Sequence, residues 1–326
     1  MPSLPPGNSE PARPNPGDLA LVRVETGGFH KQLTTADNRR MRLHPGALFV
    51  GVFGNRYASD AYEAEVQGPD NLSLLTAAGM IGTVISKNDT IAEPTRISFV
   101  GFVPGPDGSR LNLKERLFRP ATARRAPRNL VYVVGSGMNT GKTTTAARLI
   151  KGLSDLGLNV AACKLTGSVS NHDPDELASA AARQVIDFSD FGFPSTYLCS
   201  KEELLELFHA MMAEVASGDP DVALMELADG LLQRETAMLL ADPTIQRAAR
   251  GVVFTAESSL SALWGANRLR KLGYRVIAVS GMFTSSPLAI REYCEHCPEE
   301  PKAPVVSSAG AGADLATAVG SFLMHE

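Results

Sequence analysis

Cysteine is scarce in this sequence, with four in 326 residues. A chain of this length cannot be held together by so few crosslinks, and a reducing, cytoplasmic setting is the expectation. Long hydrophobic runs are missing too: no apolar stretch approaches the roughly 18 residues that a membrane-spanning helix needs. The proline-rich N-terminus has no apolar core of the kind a secretory signal carries. Neither sign of charge dominates, since 31 Lys and Arg against 35 Asp and Glu give a net charge of −4. That balance supplies no general attraction to nucleic acid or to an anionic membrane, so neither is an expected partner. A hydrophobic content of 44% with 20% charged residues fits a globular protein long enough for two domains, each with its own core.

Against that background one stretch carries most of the information, Val131–Thr145, which reads VYVVGSGMNTGKTTT. A β-branched apolar run enters a glycine-bearing loop, and Gly141-Lys142-Thr143 opens an amphipathic segment with Ala146, Leu149, Ile150 and Leu153 at helical spacing. This is the strand, loop and helix context of a phosphate-binding loop, in which inward-facing backbone N–H groups and a helix N-terminus receive phosphate oxygens. The candidate nucleotide contacts are Gly135, Gly137, Met138, Asn139, Thr140, Gly141, Lys142, Thr143 and Thr144. Lys142 is placed to reach the β- and γ-phosphates and Thr143 to meet Mg2+. Ser136 stands where the strict G-x-x-x-x-G-K-[ST] spacing calls for glycine, so the loop is one residue longer, counted from Gly135.

From Asn129 onward, short apolar runs alternate with amphipathic ones. Strands are expected over Asn159–Leu165, Gln184–Phe188, Asp221–Glu226, Gly251–Thr255, Arg275–Ser280 and Val305–Ser307. Helices are expected over Pro174–Arg183, Lys201–Val215, Leu231–Leu240, Leu260–Leu272, Pro287–His296 and Asp314–Met324. The alternation predicts an α/β fold, a doubly wound and mostly parallel sheet over 129–326, with ligands at the carboxyl ends of its strands.

Residues just after strands are therefore the candidates for chemistry. Lys164 ends an apolar strand; it either snorkels to the strand end or faces the ligand crevice. Glu226 ends another, the pattern of a metal- or water-binding carboxylate beside a phosphate loop. Asp229 is read either as part of that site or as the start of an Asp-Gly turn. Ser280–Pro287, with Thr284, is a polar loop that holds the nucleotide base or simply caps the next helix. To complete a Mg2+ shell around Thr143 and Glu226, one acid is expected from Asp173, Asp175, Glu176, Asp187 and Asp190, with Asp173 and Asp190 carried forward. Acids at a helix start also satisfy its dipole without any metal. Cys294, His296 and Cys297 make at most half of a zinc site, and free thiols at a helix end are the plainer reading. Cys163 and Cys199 read as small apolar residues.

Ahead of this domain, Met1–Asp18 holds six prolines and is expected to be a disordered tail. Short strands separated by turn residues predict a small all-β barrel or sandwich over 19–104, with one helical turn near Leu74–Met80. Gly54–Asp60 is either a polar turn or a binding loop. A linker over 105–128 carries seven Lys and Arg against two acids, a solvated connector or a basic strap.

The loop Gly135–Thr143, followed by a strand ending in Lys164 with Gly167 beyond it and then by Glu226, resembles the dethiobiotin synthetase group of phosphate-loop proteins, the class that also holds the cobyrinic and cobyric acid synthases. The resemblance covers roughly residues 129–326. It implies ATP- and Mg2+-dependent activation of a small carboxylate-type substrate by phosphoryl transfer, a ligase-like chemistry. Lys142 then stabilises the transferring group, Lys164 faces substrate and γ-phosphate, and Thr143 and Glu226 hold Mg2+. The expected partners are ATP, a small-molecule substrate and a second copy of the chain. No Asn-Lys-x-Asp guanine motif is present, which points to ATP over GTP. Two other readings stand beside it: a nucleotide-gated regulatory or assembly NTPase whose β-domain binds a protein or nucleic-acid partner, and a small-molecule kinase.

Overall fold

A computed structural model describes residues 13–35, 37–121, 126–170, 172–297, 303–307 and 312–324. The chain divides into two compact units between Arg116 and Leu117. Among the described residues no helix is long and apolar enough to cross a membrane.

The first unit is built from β1 (Leu19–Thr26), β2 (Gln32–Thr34), β3 (Arg40–Arg42), β4 (Leu48–Phe53), β5 (Arg56–Tyr57), β6 (Tyr62–Glu65), β7 (Leu72–Leu74), β8 (Met80–Lys87) and β9 (Thr95–Phe102). β1 alternates, burying Ala20, Val22 and Val24 against Phe49, Phe53, Leu74 and Ile81. β4 pairs with β1 on one side and, in parallel, with β8 on the other, through Val52↔Met80 and Phe53↔Ile81. With β9 and β7 completing the circuit, β4-β1-β9-β7-β8 closes on itself. Of the two all-β architectures expected, the ring is a barrel, and closure removes its free edges.

Three local expectations change here. Residues 13–18 are not a loose tail: Gly17 N–H donates to Phe53 O at 2.8 Å, and buried Asp18 accepts from Asn112 Nδ2 at 2.9 Å. Composition reads proline as disorder, but here the buried carboxylate has a partner far along the chain. Leu74–Met80 forms the turn between β7 and β8, closed by Leu75 N–H to Met80 O at 2.8 Å, with no helical turn. The first part of the 105–128 segment belongs to the barrel unit, since Leu111 exchanges backbone bonds with Leu19 and Val103. A short helix, α1 (Leu113–Leu117), follows, and the 122–125 part of the basic segment lies outside the described residues.

The second unit contains β10 (Leu130–Gly135), α2 (Lys142–Asp155), β11 (Val160–Thr166), α3 (His172–Ser179), β12 (Gln184–Asp187), α4 (Lys201–Ser217), β13 (Val222–Leu227), α5 (Arg234–Leu240), α6 (Pro243–Ala248), β14 (Gly251–Thr255), α7 (Ser259–Lys271), β15 (Val276–Ser280), α8 (Pro287–His296) and α9 (Ala313–Met324). Its six strands are all parallel, in the order β12-β11-β13-β10-β14-β15, and Val305 adds one bridge to Val279 at the β15 edge. Nearly every strand residue is buried, as a sheet covered on both faces requires. Leu130, Tyr132 and Val134 face a core completed by α4 to α8, while Val131 and Val133 face the aliphatic core of α2, α3 and α9. This is the doubly wound α/β sheet that the alternation of elements predicts. The helix expected from Leu231 starts at Arg234, because the Gln233 side chain caps it by accepting from Thr236 N–H at 3.0 Å.

Candidate phosphate-loop site

The strand β10 lies between β13 and β14, so their C-terminal loops flank its own. Ser136 N–H donates to Thr255 O at 2.9 Å, and the hydroxyls of Thr140 and Thr255 lie 2.9 Å apart, tying the loop to the end of β14. A Cβ on Gly135 would stand 2.4 Å from Thr140 Oγ1 and 3.0 Å from the Lys142 stem. The glycine that the sequence offers one residue early is therefore required by how tightly the loop folds over itself. On the other side, a Cβ on Gly230 would stand 2.5 Å from Gly137 Cα, and Leu231 N–H donates to Gly135 O at 3.1 Å. The loop after β13 is packed backbone to backbone against the phosphate loop.

Lys142, the first residue of α2, is buried, and its ammonium donates to Gly137 O at 2.7 Å and Asp229 O at 2.6 Å. Burial lowers its pKa, against the opposing pull of Glu226 and Asp229. One residue on, Thr143 Oγ1 donates to Glu226 Oε2 at 3.1 Å. A hydroxyl and a buried carboxylate converging beside a lysine-bearing loop suit a hard divalent cation such as Mg2+, whose ligands are oxygens.

Sheet register extends the site away from the loop. Lys164 lies opposite Glu226 on β13 and opposite Asp187 on β12, so three charged residues form one cross-strand row. They continue the side of the sheet on which Val185, Ala162 and Leu224 pack beneath α2 and α3. The Lys164 ammonium pairs with the Asp173 carboxylate, from the first turn of α3, and lies 3.9 Å from Glu226 Oε1. Burial alone would lower its pKa, but Glu226 and Asp173 outweigh that and raise it. Asp187 is pushed up to about 6 by burial, against the bond its carboxylate accepts from Ser189 N–H at 2.8 Å.

The remaining candidates are placed as follows. Met138 is half-buried, and Asn139 and Thr144 are exposed along the loop and first helical turn. Thr284 is buried, and its hydroxyl donates to Gly281 O at 2.7 Å. Asp190 accepts from Asp187 N–H at 2.8 Å, capping a single 3-10 turn. Among the described residues, no three His, Cys, Asp or Glu side chains are grouped as a metal site. Cys297 is buried against the Tyr293 hydroxyl, and His296 Nδ1 lies 2.9 Å from Glu292 O. The structure thus joins Lys142, Thr143, Glu226, Lys164 and Asp173, and leaves Asp190 and Thr284 in local bonds. It adds Gly230 and the Asp229 carbonyl, for which Asp-Gly after an apolar strand was the signal. A separate cavity of about 310 Å³, lined in part by Asn129, Asp219 and Asp221, opens at the amino ends of β10 and β13, away from these residues.

No family model matches the chain, and no curated protein matches it. Among solved structures it is similar to the signal recognition particle receptor FtsY from Elizabethkingia anophelis, at 18% identity over 66% of this chain and 75% of that one, TM-score 0.37. It is also similar to the signal recognition particle 54 kDa protein from Aeropyrum pernix K1 in complex with GDP, at 15% identity over 62% and 47% of the two chains, TM-score 0.40. A GTPase from Pyrococcus abyssi in apo form matches at 14% identity over 61% of this chain and 98% of its own, TM-score 0.39. The second unit is a phosphate-loop NTPase fold by its own topology: a central parallel strand, a glycine-bearing loop and a helix opened by Gly-Lys-Thr.

Proposed function

We propose that this chain is a Mg2+-dependent, nucleotide-gated NTPase, in which occupancy of the phosphate loop is passed on to the elements around it. The observation that carries the reading is the convergence of Lys142, Thr143 and Glu226, with Lys164 bridging Glu226 to Asp173 on α3. Backbone N–H groups of the loop and the start of α2 would receive the phosphates, and Lys142 would leave its two carbonyl partners for the β- and γ-oxygens. Thr143 and Glu226 would hold Mg2+, which when bound neutralises charge on the phosphates. In the alternative role for the same carboxylate, Glu226 would orient the attacking water. ATP is the proposed nucleotide, because the guanine motif is absent, with GTP as the competing titrant. A gated NTPase accounts for a lysine already paired with a carboxylate on a neighbouring helix.

The ligase-like reading is retained as a second proposal on one observation: Lys164, near the carboxyl end of β11, lies opposite Glu226 on β13, and these are the two residues that carry the resemblance to the dethiobiotin synthetase group. Acyl-phosphate trapping with hydroxylamine, run with ATP over a panel of small carboxylates, separates the two. Slow hydrolysis with no hydroxamate is expected; hydroxamate formed with any acid supports the ligase reading. Either reading requires Lys142, so Lys142→Ala should lose nucleotide binding in calorimetry, and unchanged binding overturns both.

A further inference from the structure

Two buried cations face the crevice, and they are held differently. Lys142 is bonded to two neutral carbonyls, which give it up at little electrostatic cost. Lys164 has the Asp173 carboxylate in direct contact, with Glu226 3.9 Å away. Its side chain is 10% exposed, so this charge–charge pair is weakly screened. Asp173 sits in the first turn of an eight-residue helix, α3, which sends Leu177 into the aliphatic core one turn later. The pair therefore ties the start of that helix to the sheet.

Glu226, which with Asp187 flanks Lys164 across the sheet, already accepts the Thr143 hydroxyl at the mouth of the loop. A terminal phosphate seated there brings more negative charge into the crevice than one carboxylate carries. Resting on the nucleotide-gated reading above, we propose that Asp173 is a positioning residue that competes with the terminal phosphate for Lys164, so that triphosphate binding breaks the Lys164–Asp173 pair and frees the first turn of α3. A diphosphate, lacking that group, leaves the pair closed. The start of α3 then reports which nucleotide is bound.

The test uses the full chain, with Mg2+ and either ADP or a non-hydrolysable ATP analogue. In the wild-type protein, amide exchange in the 172–179 segment should rise with the triphosphate analogue and stay at the apo level with ADP. Asp173→Asn removes the competitor, so calorimetry should show the analogue binding roughly tenfold tighter, with ADP affinity changed less than twofold. Asp173→Glu should restore the wild-type ratio of the two affinities. A purely structural role at the helix start would move both affinities together and would not be read as a ratio. Equal α3 exchange in the two nucleotide states, or an Asp173→Asn variant with an unchanged ratio, overturns the inference while leaving the nucleotide site in place. Wild-type protein that binds neither nucleotide overturns the functional reading itself.

Discussion

Asp187→Asn should stabilise the protein at neutral pH, against the usual direction for a buried substitution. Asp187 is 7% exposed at the end of β12, and its carboxyl is raised from 3.8 to about 6. A folded-state pKa above the unfolded one means that the folded chain prefers the protonated acid. Its contribution is fully present below pH 3.8 and is lost as pH rises through about 6. The 2.2-unit difference, at 1.36 kcal/mol per unit, makes ionised Asp187 cost about 3 kcal/mol at pH 7. Asparagine removes the charge and keeps an oxygen for the Ser189 N–H bond now made at 2.8 Å. It forgoes the attraction of Lys164, which the raised value already includes. Urea unfolding of both proteins from pH 4 to pH 8 should give curves that coincide near pH 4. They should separate between pH 4 and pH 6 and run parallel above it, with the variant more stable by about 2–3 kcal/mol. A variant less stable at pH 7.5, or a difference that does not vary with pH, refutes the assignment of that cost to Asp187.

Glu226→Gln keeps an acceptor for the Thr143 hydroxyl but removes the charge; hydrolysis should fall on the order of a hundredfold, measured as phosphate release over a Mg2+ titration. Gly230→Ala forces a methyl to within 2.5 Å of Gly137 Cα, so it should cost about 1–3 kcal/mol in urea unfolding and weaken nucleotide binding in calorimetry. Leu207→Ala empties a fully buried position between α4 and the sheet and should cost about 2–5 kcal/mol, while a refolded sample binds nucleotide with wild-type affinity.

The α/β unit was legible because its central strands are buried on both faces and read as short apolar runs, with Gly and polar residues between. The phosphate loop was legible because its glycines and Gly-Lys-Thr are contiguous. What could not be read was register. Lys164, Asp187 and Glu226 are far apart in sequence, and only parallel pairing of β12, β11 and β13 lines them up. The sequence offers several acids between Asn171 and Phe191 with nothing to rank them; the fold ranks them by giving Asp173 to Lys164 and Asp190 to a backbone cap. In the first unit, closure of the barrel depends on a parallel contact between β4 and β8, and no local pattern announces a pairing of that kind. Residues 13–18 were misread for a related reason: their partners, Phe53 and Asn112, lie elsewhere in the chain.

The central position of β10 bears on how the protein is made. Its two neighbours are β13 and β14, while β11, the next strand in sequence, joins the sheet beyond β13. A growing chain therefore releases the glycine loop and α2 long before either flanking strand exists, and the opposing Glu226 and Gly230 arrive only with β13 and the loop after it. The loop has no rigid walls until the segment carrying β13 has emerged, and nucleotide cannot act as an early template for this unit. Binding to a nascent chain stalled at successive lengths should switch on after β13 and β14 are out, which makes nucleotide capture a timer for the completion of the sheet.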